Sequence, residues 1–106
     1  MSSPREARIA KLLAFAEARP DDPFPRYALA LEHRNAGAHA DAVREFRMLI
    51  DKHPNYVPTY LHAGQAIAAL GDAVEAKAVW QRGLEVARRA GDQHAASELE
   101  GALGPG

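Results

Sequence analysis

The chain contains no cysteine. That excludes a disulfide framework, a thiolate nucleophile and a zinc–thiolate centre. Serine and threonine are nearly as scarce: Ser2, Ser3, Ser97 and Thr59 complete the set. Two of the three serines stand at one end, so a hydroxyl poised beside a base has little to draw on. Net charge is almost absent, with 13 basic residues against 14 acidic ones. Such a balance gives no electrostatic footprint for nucleic acid or an anionic membrane. Arg44 with Arg47, or Arg82 with Arg88 and Arg89, could gather locally, but solvated helix faces account for them more simply. No apolar run approaches the length of a membrane span. Arg5, Arg8 and Lys11 precede the run Leu12–Ala16, which Glu17 ends at once, so this segment does not read as a signal peptide. The expected compartment is the cytoplasm. Ten arginines against three lysines, with abundant alanine, fit a GC-rich bacterial coding sequence.

What the chain has is helix. Its 106 residues suffice for one domain with one modest core. Ser3-Pro4-Arg5-Glu6 joins a capping serine, a first-turn proline and a glutamate three residues on. Ile9, Leu12, Leu13 and Ala16 then recur at helical spacing, which predicts a first helix over 3–19. Pro20-Asp21-Asp22-Pro23 ends it, and Asp22 can cap a second helix over 23–35. Gly37 suits a left-handed stop. A third helix is expected over 38–52, with Val43, Phe46, Leu49 and Ile50 on its apolar stripe. A fourth spans 57–70, a fifth 72–90, and a short sixth 92–103 on Ala95, Leu99 and Leu103. Gly104-Pro105-Gly106 reads as a frayed tail. No segment alternates with period two, so no sheet is expected. The linkers are short, which makes successive helices antiparallel neighbours.

Chemistry-bearing groups do not converge. The histidines are His33, His39, His53, His62 and His94, with no HExxH pattern and no pair at metal-ligand spacing on one helix. His33 and His39 flank the Gly37 turn and read as a surface pair. No glycine-rich phosphate loop is present. Carboxylates are expected on exposed faces, with no desolvated pair singled out. The expectation is therefore no catalytic residue, no cofactor and no metal.

A period runs through these helices. Ala42 and Ala76, Phe46 and Trp80, Gly37 and Gly71, and Pro20 and Pro54 are each 34 residues apart. Ala30 and Gly64 keep the same offset as a small pair. In this order, Leu29-Ala30, Ala42-x-x-x-Phe46 and Pro54 form one unit, and Tyr60, Ala63-Gly64 and Ala76-x-x-x-Trp80 the next. This pattern resembles the tetratricopeptide repeat over roughly 23–90. Departures are Arg26 and Tyr60 where that family favours tryptophan, His33 and Ile67 where it favours tyrosine, and Arg88 in place of a closing proline. The last departure predicts a longer fifth helix.

The resemblance implies an all-α fold of about six helices, in antiparallel hairpins stacked as a short right-handed α-solenoid. It divides the chain into a half-repeat helix (3–19), repeats at 23–54 and 57–90, and a capping helix (92–103). Ala30 with Ala42, and Gly64 with Ala76, would let paired helices approach, with Phe46 and Trp80 filling beside the crossings. Arg8, one period before Ala42, suits a helix with no partner inside its own repeat. Gly83 costs its helix about 1 kcal/mol relative to alanine; close approach of the sixth helix would be one reason to hold it, and drift the other.

The resemblance also implies a concave face. It carries Phe24, Tyr27, Leu31 and Asn35 from the first repeat and Pro58, Leu61, His62 and Gln65 from the second. Such a groove suits an extended peptide or an amphipathic helix. The alternative is that Leu31 and Leu61 belong to the core and Tyr27 packs over the sixth helix. The expected function is a protein–protein interaction module or scaffold. A homodimer through the concave face is the second reading, and RNA binding by a helical repeat the last. With no lysine on this face, capture of chaperone C-terminal tails is not expected.

Overall fold

The computed structural model describes residues 3–105. Six helices follow one another: α1 (Pro4–Ala18), α2 (Pro23–Asn35), α3 (His39–Lys52), α4 (Pro58–Ala69), α5 (Ala73–Ala90) and α6 (Gln93–Leu103). Among the described residues there is no strand. Gly106 lies outside them, and Gly104 and Pro105 follow α6 without helix.

Local chemistry explains the boundaries. The Ser3 hydroxyl accepts from the Glu6 amide at 3.1 Å. Asp22 accepts from the amide of Phe24, and Asp72 and Asp92 accept from those of Glu75 and Ala95, each at 3.0 Å. These bonds satisfy amides that no helical carbonyl can reach. Gly37 and Gly71 end α2 and α4 with φ of 79° and 95°, a left-handed conformation open to glycine at little cost. With arginine at 88, α5 runs on to Ala90 before Gly91 stops it.

Each helix packs on the next, and α2 also meets α4, as α4 meets α6. Among the described residues, the backbones of α1 and α3, and of α3 and α5, do not approach one another in the same way. Closer approach along one side bends the stack, with α2, α4 and α6 on its inner side. The resulting body measures 49 × 29 × 20 Å.

The crossings are tight where the period places small residues. Ala30, Ala42 and Ala76 are fully buried, and Phe46 lies among them. A Cβ built on Gly64 would overlap the Trp80 indole. Gly83 is held mainly by Tyr60 of α4, whose Cβ a side chain there would strike. The sixth helix is the lesser neighbour: Leu99 Cδ2 would lie 3.3 Å from that Cβ.

Two expectations need correction. Leu13 is exposed, because α2 covers only the side of α1 that carries Ala16, Ile9 and Leu12. Not every carboxylate is on an exposed face either. Glu45 is buried in α3 and paired at 2.5 Å with Arg26 of α2. The long Arg26 side chain reaches across the crossing from the position where the family favours tryptophan, so its partner must sit inside. Three of the five arginines of α3 and α5 form exposed pairs, Arg44 with Asp41, Arg47 with Glu75 and Arg88 with Glu100. Such pairs contribute little to stability.

Candidate functional site

The inner side of the stack brings three first helices together. Tyr27 stands on α2, one turn before Leu31 and two before Arg34, so these share a stripe. Pro58, Leu61, His62 and Gln65 share the facing stripe of α4. Between α2, α4 and α6 lies a groove of about 230 Å³. Tyr27, Val57, Pro58, Leu61 and Leu99 give it apolar walls, with the capping Asp92 and His94 and Glu98 of α6 at its polar side.

Four of the eight residues anticipated on the concave face, Tyr27, Pro58, Leu61 and His62, line this groove. Gln65 stands beside it, hydrogen-bonded into its wall through Arg34. Phe24, Leu31 and Asn35 do not line it: Phe24 is 59% exposed nearer the start of α2, Asn35 is exposed at the end of that helix, and Leu31 packs half-buried on the core. Leu61 serves both purposes, packing on the core and walling the groove. Tyr27 packs on Tyr56 and His62, with ring centroids 5.6 and 5.9 Å away.

Two participants escaped the sequence reading. Tyr56 sits in the turn before α4 and meets Tyr27 edge to face, which no helical spacing announces. Arg34 was legible, at seven residues beyond Tyr27 on the same stripe. Its Nη1 donates to Gln65 Oε1 at 2.8 Å and to His62 Nδ1 at 2.5 Å. A guanidinium has no acceptor, so His62 Nδ1 must accept, and the imidazole proton sits on Nε2.

Electrostatics follow from this packing. Burial, then the nearby Arg34 charge, hold His62 below the usual histidine range. Burial, then Tyr56, push the Tyr27 phenol up; burial, then Asp22, do the same for Tyr56. The groove therefore presents the neutral Tyr27 phenol, backed by Tyr56, and an imidazole held toward its neutral form. His33 and His39 are both half-buried beside the Gly37 turn. No three histidine, aspartate or glutamate side chains among the described residues gather as a metal-holding group.

This architecture has solved counterparts. The crystal structure of a tetratricopeptide repeat domain protein from Salinibacter ruber is 40% identical, with a TM-score of 0.74, over 77% of this chain and 91% of that one. The chain belongs to the tetratricopeptide repeat family. The solution structure of a Bordetella parapertussis protein is 25% identical, with a TM-score of 0.77, over 97% of this chain and 86% of that one. A TPR repeat-containing protein of Pseudomonas aeruginosa is 28% identical over 79 residues, which are 74% of this chain and 75% of that protein. No family model matches the chain. Tetratricopeptide repeat proteins generally serve as protein–protein interaction modules. Among the described residues, no helix is long and apolar enough to cross a membrane.

Proposed function

We propose that this tetratricopeptide repeat protein is a non-catalytic interaction module that holds a peptide or helix in the groove between α2, α4 and α6. The division of labour is two repeats, 23–54 and 57–90, with α1 as a half repeat and α6 as the cap that supplies the third wall. One observation carries the reading. The inner side keeps an apolar groove walled by Tyr27, which Tyr56 meets edge to face from behind, in a chain small enough that every other large aromatic but Phe15 and Phe24 is drawn inward. Rigid aromatics beside an open apolar wall give contact area at low entropic cost. Tyr27, Pro58, Leu61 and His62 are the contact residues, with Gln65 and Arg34 fixing the imidazole. Phe24, Leu31 and Asn35 extend the same face along α2.

Acidic C-terminal tails are poor candidates for this groove. Arg34, the cation on this face, is tied to His62 and Gln65, while Asp92 and Glu98 add like charge. A cysteine-free chain suits the reducing cytoplasm, which is where we place its action.

The test is selection of peptides from a displayed random library on the wild-type chain, followed by titration of the winners into Tyr27→Ala/Leu61→Ala. Loss of binding by a still-folded double variant supports the groove. Undiminished binding removes it. Saturating association into a dimer that Tyr27→Ala abolishes would favour the homodimer reading instead.

A further inference from the structure

The groove between α2, α4 and α6 has a size and a charge that narrow what it can hold. Its volume of about 230 Å³ is below the roughly 300–1,000 Å³ that encloses a drug-sized molecule. That is room for one long side chain of a partner. Val57 and Leu99 are buried and make the floor, while Tyr27, Leu61 and Ala95 are partly covered along the walls. Such a channel suits an unbranched apolar stem. The formally charged residues of the lining are Asp92 and Glu98, both acidic, and among the described residues no lysine or arginine lines the groove. Asp92 commits Oδ1 to the Ala95 amide and keeps Oδ2 as an acceptor. Glu98 Oε1 lies 3.2 Å from His94 Nε2, on side chains that are 48% and 89% exposed. A contact that open is exchanged at small cost. After burial, Glu98 is among the charges felt by both the Tyr27 phenol and the His62 imidazole, so it faces them across the groove. Arg34 stands behind His62, with Nη1 already shared between His62 Nδ1 and Gln65 Oε1.

We propose that the partner's anchor in this groove is a lysine or arginine side chain, with its stem on Tyr27, Leu61 and Leu99 and its head at Glu98 and Asp92 Oδ2. This builds on the groove as the place where a peptide binds and adds the chemistry of the residue that fills it. An apolar stem with a positive tip matches a channel that is apolar along its length and acidic at one side. An apolar side chain of the same length would cover the two carboxylates without giving them a partner, which costs binding free energy. An acidic side chain would add like charge. The groove thus selects a basic anchor by penalising the alternatives as well as by pairing with it.

The test begins with the displayed-library selection on the full wild-type chain. A lysine or arginine at one fixed place should recur among the winners. One winner is then remade with methionine, another unbranched side chain, in that place. Both peptides are titrated by calorimetry into wild type, Glu98→Gln and Tyr27→Ala/Leu61→Ala. On the wild type the basic peptide should bind about tenfold or more tightly than its methionine version. Glu98→Gln, a nearly isosteric change at an exposed site, should remove most of that preference and leave the methionine peptide within about twofold of its wild-type affinity. Glu98→Lys should reverse the preference, favouring a peptide with glutamate in the same place. Winners with no basic residue in common, or a basic preference that Glu98→Gln leaves intact, overturn the basic anchor, even where the still-folded Tyr27→Ala/Leu61→Ala loses binding and the groove itself stands. Undiminished binding by that double variant removes the groove and the anchor together.

Discussion

The two central hairpins answer the same packing problem with opposite chemistry. In α2–α3 the crossing is held by an ion pair, Arg26 with Glu45, beside buried Leu49. In α4–α5 the residues one period later are Tyr60, Val79 and Gly83. There an aromatic ring presses on a glycine, and the Tyr60 hydroxyl donates to the Pro54 carbonyl at 2.5 Å. The second hairpin is the tighter fit and the less forgiving of added volume. The first depends on two charges staying together in a partly desolvated place. One backbone arrangement therefore tolerates either solution, provided volume and polarity change on both helices at once.

The largest effect should come from Gly83→Ala. The obstructing atom is the Tyr60 Cβ, which is fixed to its backbone, so α4 and α5 must separate. A loss of about 3 kcal/mol is expected by denaturant unfolding. Gly64→Ala should cost less, because the Trp80 indole can swing aside at the loss of its bond to the Leu61 carbonyl. Gly101→Ala meets nothing and should gain up to about 1 kcal/mol, which calibrates the series. An equal cost at all three positions would break the comparison.

Next in size are Ala42→Leu and Ala76→Leu. Both sites are fully buried at the crossings, and each should lose about 1–3 kcal/mol in a melting comparison. The ion pair comes third. Glu45→Ala strands Arg26, whose side chain is 24% exposed, and should cost about 1–2 kcal/mol after discounting for solvent. Arg26→Met/Glu45→Leu removes both charges and should recover most of that loss. No recovery would mean that the pair itself stabilises the first hairpin.

The smallest effect is a pH dependence that joins the hairpins. His62 of α4 is held neutral by burial and by Arg34 of α2. Its folded pKa is below its unfolded value, so the unfolded chain binds more protons in that window. Stability is therefore full above the unfolded pKa of about 6.5 and falls as pH drops toward the folded value. Denaturant midpoints for His62→Gln against wild type should converge as pH falls below neutrality. Parallel curves would show that His62 carries none of the dependence.

Much of this was readable in the sequence because repeat positions recur at a constant interval. Ala42 with Ala76 and Phe46 with Trp80 gave the crossings, and Gly37 with Gly71 the turns. What stayed hidden joins residues at unrelated spacings. Arg26 and Glu45 are 19 apart and Arg34 and His62 are 28 apart, so their meeting depends on side-chain length and helix offset rather than on pattern. The register of α6 was hidden as well. α5 is four residues longer than α3 and the turn after it three residues shorter, so the covered positions of α6 do not follow those of α4 at the interval of 34. Within the groove, Tyr27, Leu61 and His62 followed from the stripe on each helix. Tyr56 did not, because it belongs to a turn.

The central claim is that the groove between α2, α4 and α6 receives a partner. Amide chemical-shift mapping with a library-selected peptide tests it most directly. Shifts concentrated at Tyr27, Leu61, His62, Ala95 and Glu98 are the predicted result. Shifts confined to α3 and α5, with those five amides unmoved at saturation, would contradict it.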